Sequence, residues 1–296
     1  MKHSSLTICS VDFHSADALA VNTEVTKKLN NNEYVWNVAT TDPPSLQNSL
    51  QEKATGLSLI PFEPTHKQSW CAGSYQHAQG LQSALNASDS RYVVLLDPDF
   101  IILQPQWCTN VIQYMTRKNI SFLGAPYSLD RFVHYRYFPS VVCMFIDCNR
   151  IPKQDINLLP ELGDHPTNDL QRKKKSRRFI GKQRDVGWHV YERFGRKKNI
   201  NSECLQQSHP TKPRSRSIKK IIDSLVPDRY AYYPKRKNYS TTNTFADCGL
   251  DLPAYPGSLT EEFFWKGEPF GIHLRSRLQE RPESMAWSDA FNRMFS

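Results

Sequence analysis

Tyr92-Val93-Val94-Leu95-Leu96-Asp97-Pro98-Asp99-Phe100-Ile101-Ile102-Leu103 is the stretch on which the fold turns. Its first five residues are an unbroken apolar run, the pattern of a strand covered on both faces. Asp97-Pro98-Asp99 ends the run. In an open α/β sheet, ligands bind beyond the carboxyl ends of the strands, and there the two carboxylates fall. Carboxylates one residue apart can share a hard divalent cation, which in turn neutralises a diphosphate. Pro98 has a fixed φ and no backbone N–H, so it stiffens the spacing between them. All three residues are also turn formers, and a plain strand-ending turn is the competing reading.

The surroundings favour the first reading. Residues 74–85 place Tyr75, Ala78, Leu81 and Leu85 on one helical face just before the strand. Further upstream, Leu6-Thr7-Ile8-Cys9-Ser10-Val11 reads as a strand, and Ala18, Val21, Val25 and Leu29 recur at helical spacing. Tyr34-Val35-Trp36-Asn37-Val38-Ala39 reads as a second strand, and Leu57-Ser58-Leu59-Ile60 as a third, halted by Pro61. Residues 120–123 and 141–146 add two more. This alternation predicts a largely parallel sheet with helices on both sides.

The second half is less regular. Residues 151–181 are rich in proline and charge and read as a long loop. A short helix is expected over 186–194, with Asp185 and Gly195 as its caps. Residues 212–220 and 234–244 read as surface connections. Phe263-Phe264-Trp265 through His273-Leu274-Arg275 regains an aromatic, ordered character.

At 296 residues the chain can bury one large core or two packed halves. No apolar run is long enough to span a bilayer. Met1-Lys2-His3-Ser4-Ser5 leads directly into a strand-like run, so a cytoplasmic protein, or one peripheral at the inner membrane face, is the expectation. The cysteines (Cys9, Cys71, Cys108, Cys143, Cys148, Cys204 and Cys248) are odd in number and scattered without CxxC spacing, which argues for reduced thiols. Sequons at Asn86, Asn119 and Asn238 matter only in a secreted protein.

The formal charge of +9 is concentrated after residue 150. The densest block is Gln171-Arg172-Lys173-Lys174-Lys175-Ser176-Arg177-Arg178, and Arg196-Lys197-Lys198, residues 212–220 and Lys235-Arg236-Lys237 follow. Such blocks attract nucleic acid, anionic lipid or phosphorylated substrates, or are simply solvated loops. Nucleic-acid binding, with Tyr230, Tyr232, Tyr233 and Tyr239 stacking on bases, is the alternative from another functional class. It leaves the α/β half and the acidic pair unexplained. Neither GxGxxG after the first strand nor GxxxxGK[ST] is present, which weighs against dinucleotide oxidoreductases and P-loop phosphotransferases.

The order of elements over residues 74–103, with Asp97-Pro98-Asp99 after the central strand, resembles the DXD region of GT-A glycosyltransferases, family 2-like enzymes in particular. The resemblance implies an α/β fold with a Rossmann-like, mostly parallel sheet flanked by helices and an irregular C-terminal acceptor-side region. It implies one domain over 1–296, with a nucleotide-binding half in 1–150 and an acceptor-side half in 151–296. The implied activity is metal-dependent transfer of a sugar from a nucleotide-diphosphate donor, a UDP-sugar by preference, to an acceptor hydroxyl, with inversion. Mn2+ or Mg2+ is the implied cofactor. The acceptor would be a glycan, a lipid-linked or a protein hydroxyl, with an anionic membrane surface as a further partner and no nucleic acid.

Residue by residue, the resemblance assigns the metal to Asp97 and Asp99, with the late His273 as third ligand, and Arg275 to a phosphate. Asp42 and Asp12, after the second and first strands, fall at the donor's base or ribose. His77, with Gln76 and Gln79 equally eligible, faces the donor from the helix before Asp97. Asp185, in Gln183-Arg184-Asp185-Val186-Gly187-Trp188, falls at the general base of inverting members, although those enzymes carry an acidic residue where this chain has Arg184. Gly124-Ala125-Pro126 and Phe138-Pro139-Ser140 fall at the acceptor cleft, where Trp188 would stack on a sugar face. Each has a structural alternative: Asp185 as a helix N-cap, His273 as a core histidine, Trp188 as core packing.

Overall fold

The computed structural model describes residues 6–13, 15–31, 34–41, 56–65, 72–127, 135–161, 184–208, 225, 235–250 and 259–275, and every structural statement below concerns those residues. The strands expected from the sequence form: β1 (Leu6–Asp12), β2 (Tyr34–Thr40), β3 (Leu57–Pro61), β4 (Tyr92–Leu96), β6 (Phe122–Pro126) and β7 (Pro139–Asp147), with β4 at the bounds read, β6 starting two residues onward and the others slightly longer. With β8 (Ser202–Cys204) they make a seven-stranded sheet in the order β3-β2-β1-β4-β7-β6-β8. β1 to β4 pair in parallel, as do β6 and β8, whereas β7 runs antiparallel to both β4 and β6. The sheet is therefore mixed α/β and mostly parallel, with helices on both faces.

β4 shows why its run is continuously apolar. Tyr92, Val94 and Leu96 enter one core with Leu19 of helix α1 (Ala16–Leu29). Val93 and Leu95 enter the other, with Ala78, Leu81, Ala84 and Leu85 of helix α2 (Ala72–Asn86). Successive strand side chains point to opposite faces, so a strand packed on both sides has no polar position. Gly80 lets α2 lie close on the sheet: a Cβ there would sit 2.8 Å from both methyls of Val11.

One helix is absent from the sequence reading. α3 (Trp107–Lys118) buries Trp107, Cys108, Val111 and Met115 against the first core. Its start carries no local signal, because Gln106 is in the left-handed region without a side-chain cap. The cap comes from afar: Asn30 Oδ1 accepts the Cys108 N–H at 3.0 Å.

The C-terminal half is more regular than its composition suggests. β9 (Gln206–Ser208), β10 (Ser240–Thr241), β11 (Leu259–Trp265) and β12 (Glu268–Arg275) join β5 (Phe100–Ile102) in a second sheet, ordered β10-β9-β11-β12-β5. Residues 151–161, read as loop, pack Ile151, Ile156 and Leu158 into the second core. The block 171–178 lies outside the described residues. No described helix is long and apolar enough to cross a membrane.

Candidate functional site

Asp97-Pro98-Asp99 is the corner between the two sheets. Asp97 directly follows β4, and its N–H donates to the Val142 carbonyl of β7 at 2.9 Å. Asp99 precedes β5, and its carbonyl accepts the Leu274 N–H of β12 at 3.0 Å. The Phe100 N–H returns to the Asp97 carbonyl at 3.0 Å and closes the turn. Beneath it, the fully buried Asn22 of α1 donates through Nδ2 to the Pro98 carbonyl at 3.1 Å and to the Phe100 carbonyl at 2.8 Å. The turn reading of this motif is thus realised: the backbone makes the turn and leaves both carboxylates outside it.

Asn22→Ala should cost about 1–3 kcal/mol of stability, because truncation leaves the buried Phe100 carbonyl without its donor. Urea denaturation of the variant against the parent measures it.

Because β12 pairs with β5 so that His273 lies opposite Phe100, the imidazole is carried to the corner from 174 residues away in the chain (273 − 99). Asp97, Asp99 and His273 each present a ligand atom, all within 4.8 Å of one another. His273 Nε2 stands 3.5 Å from Asp99 Oδ1, and its Nδ1 hydrogen-bonds Glu261 Oε2 at 2.8 Å. Two carboxylates and one imidazole suit Mg2+ or Mn2+ rather than a thiolate-seeking metal. The carboxylates are only partly buried, with side-chain exposures of 18% for Asp97 and 35% for Asp99. A cation held there would be reachable by a ligand's oxygens from the solvent side.

The electrostatics favour a cation. Burial alone would lower the pKa of His273, but the neighbouring Asp99 and Glu261 outweigh it and push it up to about 10. A metal must displace that proton. Mn2+ affinity should accordingly rise with pH through the neutral and alkaline range and level off near the His273 pKa, as titration calorimetry at a series of pH values would show.

The other expected residues are distributed unevenly. His77 of α2 reaches Asp97 Oδ1 with Nε2 at 3.0 Å, so it holds a carboxylate of the corner. Its pKa is raised: burial pulls it down, and the charge and hydrogen bond of Asp97 prevail, with Asp185 and Asp99 contributing. Asp12 ends β1, where its Oδ1 accepts the N–H of Ser15 at 2.9 Å and its hydroxyl at 3.0 Å. That carboxylate helps to open α1. Asp42 lies outside the described residues. Arg275 ends β12 with its backbone opposite Leu259, and its side chain lies outside what the structure describes.

Asp185 belongs to the same end of the sheet, and its role as helix cap is corrected. Helix α4 (Trp188–Phe194) begins three residues after Asp185, with Gly187 at the N-cap. Asp185 Oδ1 accepts the adjacent Val186 N–H at 2.8 Å, and its carbonyl accepts the Trp188 N–H at 3.0 Å. Gly187, with φ 76° and ψ 0°, takes the conformation required of the third residue of a type II turn. A Cβ there would lie 2.5 Å from Val141. The turn is pinned by Tyr127, whose hydroxyl donates to the Val186 carbonyl at 3.0 Å, and by Leu158, whose carbonyl accepts the Gly187 N–H at 3.0 Å.

Arg184, the departure from the acidic pattern, pairs with Glu161 through backbone hydrogen bonds of 2.7 and 2.9 Å and forms ion pairs with Glu161 and Glu192. Gly195, the expected C-terminal cap, is in the right-handed region; glycine is needed there because a Cβ would meet the Tyr191 ring at 2.4 Å. Trp188 is half-buried, edge-on to Tyr135 with ring centroids 5.5 Å apart. Sequence reading missed Glu261 and Asn22. The Lys266-Gly267 turn, with positive φ at both residues, signals the hairpin that sets Glu261 opposite His273, whereas nothing local marks Asn22.

No protein-family model and no curated protein matches the chain. Solved structures similar to it are glycosyltransferases. They include the mannosyltransferase PcManGT from Pyrobaculum calidifontis in complex with GDP-Man and Mn2+, with 12% identity, TM-score 0.37, 50% of this chain and 46% of that chain. The galactosyltransferase LgtC in complex with donor and acceptor sugar analogs matches with 10% identity and TM-score 0.41, over 67% of this chain and 72% of that chain. Core-mannan synthase A from Aspergillus fumigatus, in its Mn/GDP form, matches with 9% identity and TM-score 0.31, over 42% of each chain. The chain thus spans under half the length of the first and third.

Proposed function

We propose that this chain transfers a sugar from a nucleotide-diphosphate donor to an acceptor hydroxyl, with inversion at the anomeric carbon. The observation that carries the reading is the convergence of Asp97, Asp99 and His273 at the carboxyl end of the central strand, within 4.8 Å of one another. A cation held there supplies Lewis-acid stabilisation of the departing diphosphate. His77 keeps Asp97 in place through its 3.0 Å contact. Asp185 accepts the proton of the acceptor hydroxyl as that oxygen bonds to the anomeric carbon and the bond from that carbon to the diphosphate oxygen breaks. Its placement is supported by its turn, where Gly187 lies against Val141, the residue before the Val142 whose carbonyl accepts the Asp97 N–H. A UDP-sugar is the first donor to test, and Trp188 the first aromatic to test as an acceptor platform.

The deciding experiment is a donor screen by thermal shift and by hydrolysis, with Mn2+, with Mg2+ and with chelator. A specific nucleotide sugar that stabilises the protein only with the metal supports the proposal. Uniform indifference to all nucleotide sugars overturns it. Steep, salt-dependent binding of random oligonucleotides would favour the nucleic-acid reading instead.

A further inference from the structure

We infer that Glu261 is a positioning residue for the cation centre: once a cation displaces the Nε2 proton, it holds His273 with the remaining proton on Nδ1 and the Nε2 lone pair turned to Asp97 and Asp99. The inference rests on the reading of that cluster as a metal site and extends it to a residue with no ligand role of its own. The two side chains face each other because β11 and β12 pair Glu261 with His273 across the hairpin. Their contact is short, 2.8 Å from Nδ1 to Oε2, and both side chains are largely removed from solvent, at 10% exposure for Glu261 and 8% for His273.

The geometry leaves little choice of tautomer in a metal-bound state. A carboxylate only accepts hydrogen bonds, so with Glu261 ionised the ring must donate from Nδ1. Nε2, facing Asp99 at 3.5 Å, is then the nitrogen whose lone pair is available. A neighbouring carboxylate also makes the imidazole a stronger donor to a cation. Phe100 packs tilted beside the ring, with centroids 6.1 Å apart, and helps hold its plane. Between strands of one hairpin, the pair is an alignment device built into the second sheet.

The test measures Mn2+ binding to the donor-free protein, by electron paramagnetic resonance of the free ion, in the parent, Glu261→Gln, Glu261→Ala, His273→Ala and the double variant. Loss of an orienting partner of this kind typically weakens metal affinity about 10–100-fold. Glu261→Ala should show that loss, while Glu261→Gln, which keeps an accepting oxygen, should lose less. With Glu261→Ala added to His273→Ala, affinity should fall no further than in His273→Ala alone, because Glu261 acts through the imidazole.

Melting in chelator separates misfolding from this effect: the isosteric Glu261→Gln variant should melt as a folded protein. Parent-like Mn2+ affinity in both Glu261 variants overturns the inference and leaves the metal site standing. Additive losses in the double variant also overturn it. If the parent itself fails to bind Mn2+, the metal reading falls first.

Discussion

In Asp99→Ala, a nucleoside diphosphate should stabilise the protein no better with Mn2+ than with chelator, whereas the parent should be stabilised only with the metal. The backbone argues that the variant will fold. The corner is closed by the Phe100 N–H on the Asp97 carbonyl, and it is tied to the second sheet by the Asp99 carbonyl, not by its carboxylate. Asn22 holds it from below. Asp97→Ala is the less clean variant, since it also strips His77 of its 3.0 Å partner. A ligand at a hundredfold excess over its Kd stabilises by about 2.7 kcal/mol, which a melting curve reads as a shift of several degrees. Transfer should collapse along with it. Equal stabilisation by UDP or GDP in chelator would remove the cation from the reading.

Asp185→Asn should leave folding and donor binding unchanged and reduce transfer by about 10²–10⁴-fold, the usual contribution of a positioned base. Asparagine keeps an oxygen that can accept the Val186 N–H, which Asp185 Oδ1 takes at 2.8 Å. The turn itself is closed by the Trp188 N–H on the residue 185 carbonyl, and the Glu161–Arg184 pair anchors its approach. Since Asp185 does not cap α4, the substitution has no helix to destabilise. Rate loss at unchanged donor binding would therefore report on chemistry. The product's anomeric configuration, compared with the donor's by NMR, tests the accompanying stereochemistry. Full activity in Asp185→Asn, or a retained configuration, moves the base to another residue.

Much of this is legible in the sequence. The apolar run of β4 and the two acidic residues beyond it mark the carboxyl end of a doubly covered strand, the edge at which open sheets bind ligands. The helical spacing of α1 and α2 and the alternation with β1 to β4 likewise reflect burial on one stripe or face, which is a property of local order in the chain. His273 could be nominated only through the resemblance to the GT-A enzymes, since a histidine in an ordered apolar segment reads by itself as a core residue.

What the chain could not reveal is partnership between distant segments. That β7 would run antiparallel between β4 and β6 is invisible, since apolar alternation is the same in either direction. The start of α3 is set by Asn30, which lies 78 residues before the N–H it caps. The long charged stretch hid the ordered segment 151–161, whose three core residues are spaced too irregularly for any repeat. Sequence alone determined that two carboxylates would stand at the end of a buried strand. Only the tertiary structure decided that they would meet an imidazole and its glutamate partner, because after β4 the chain leaves the first sheet at Pro98 and β5 pairs with β12 in the second, and strand pairing between remote segments is governed by the whole fold rather than by the residues at the corner.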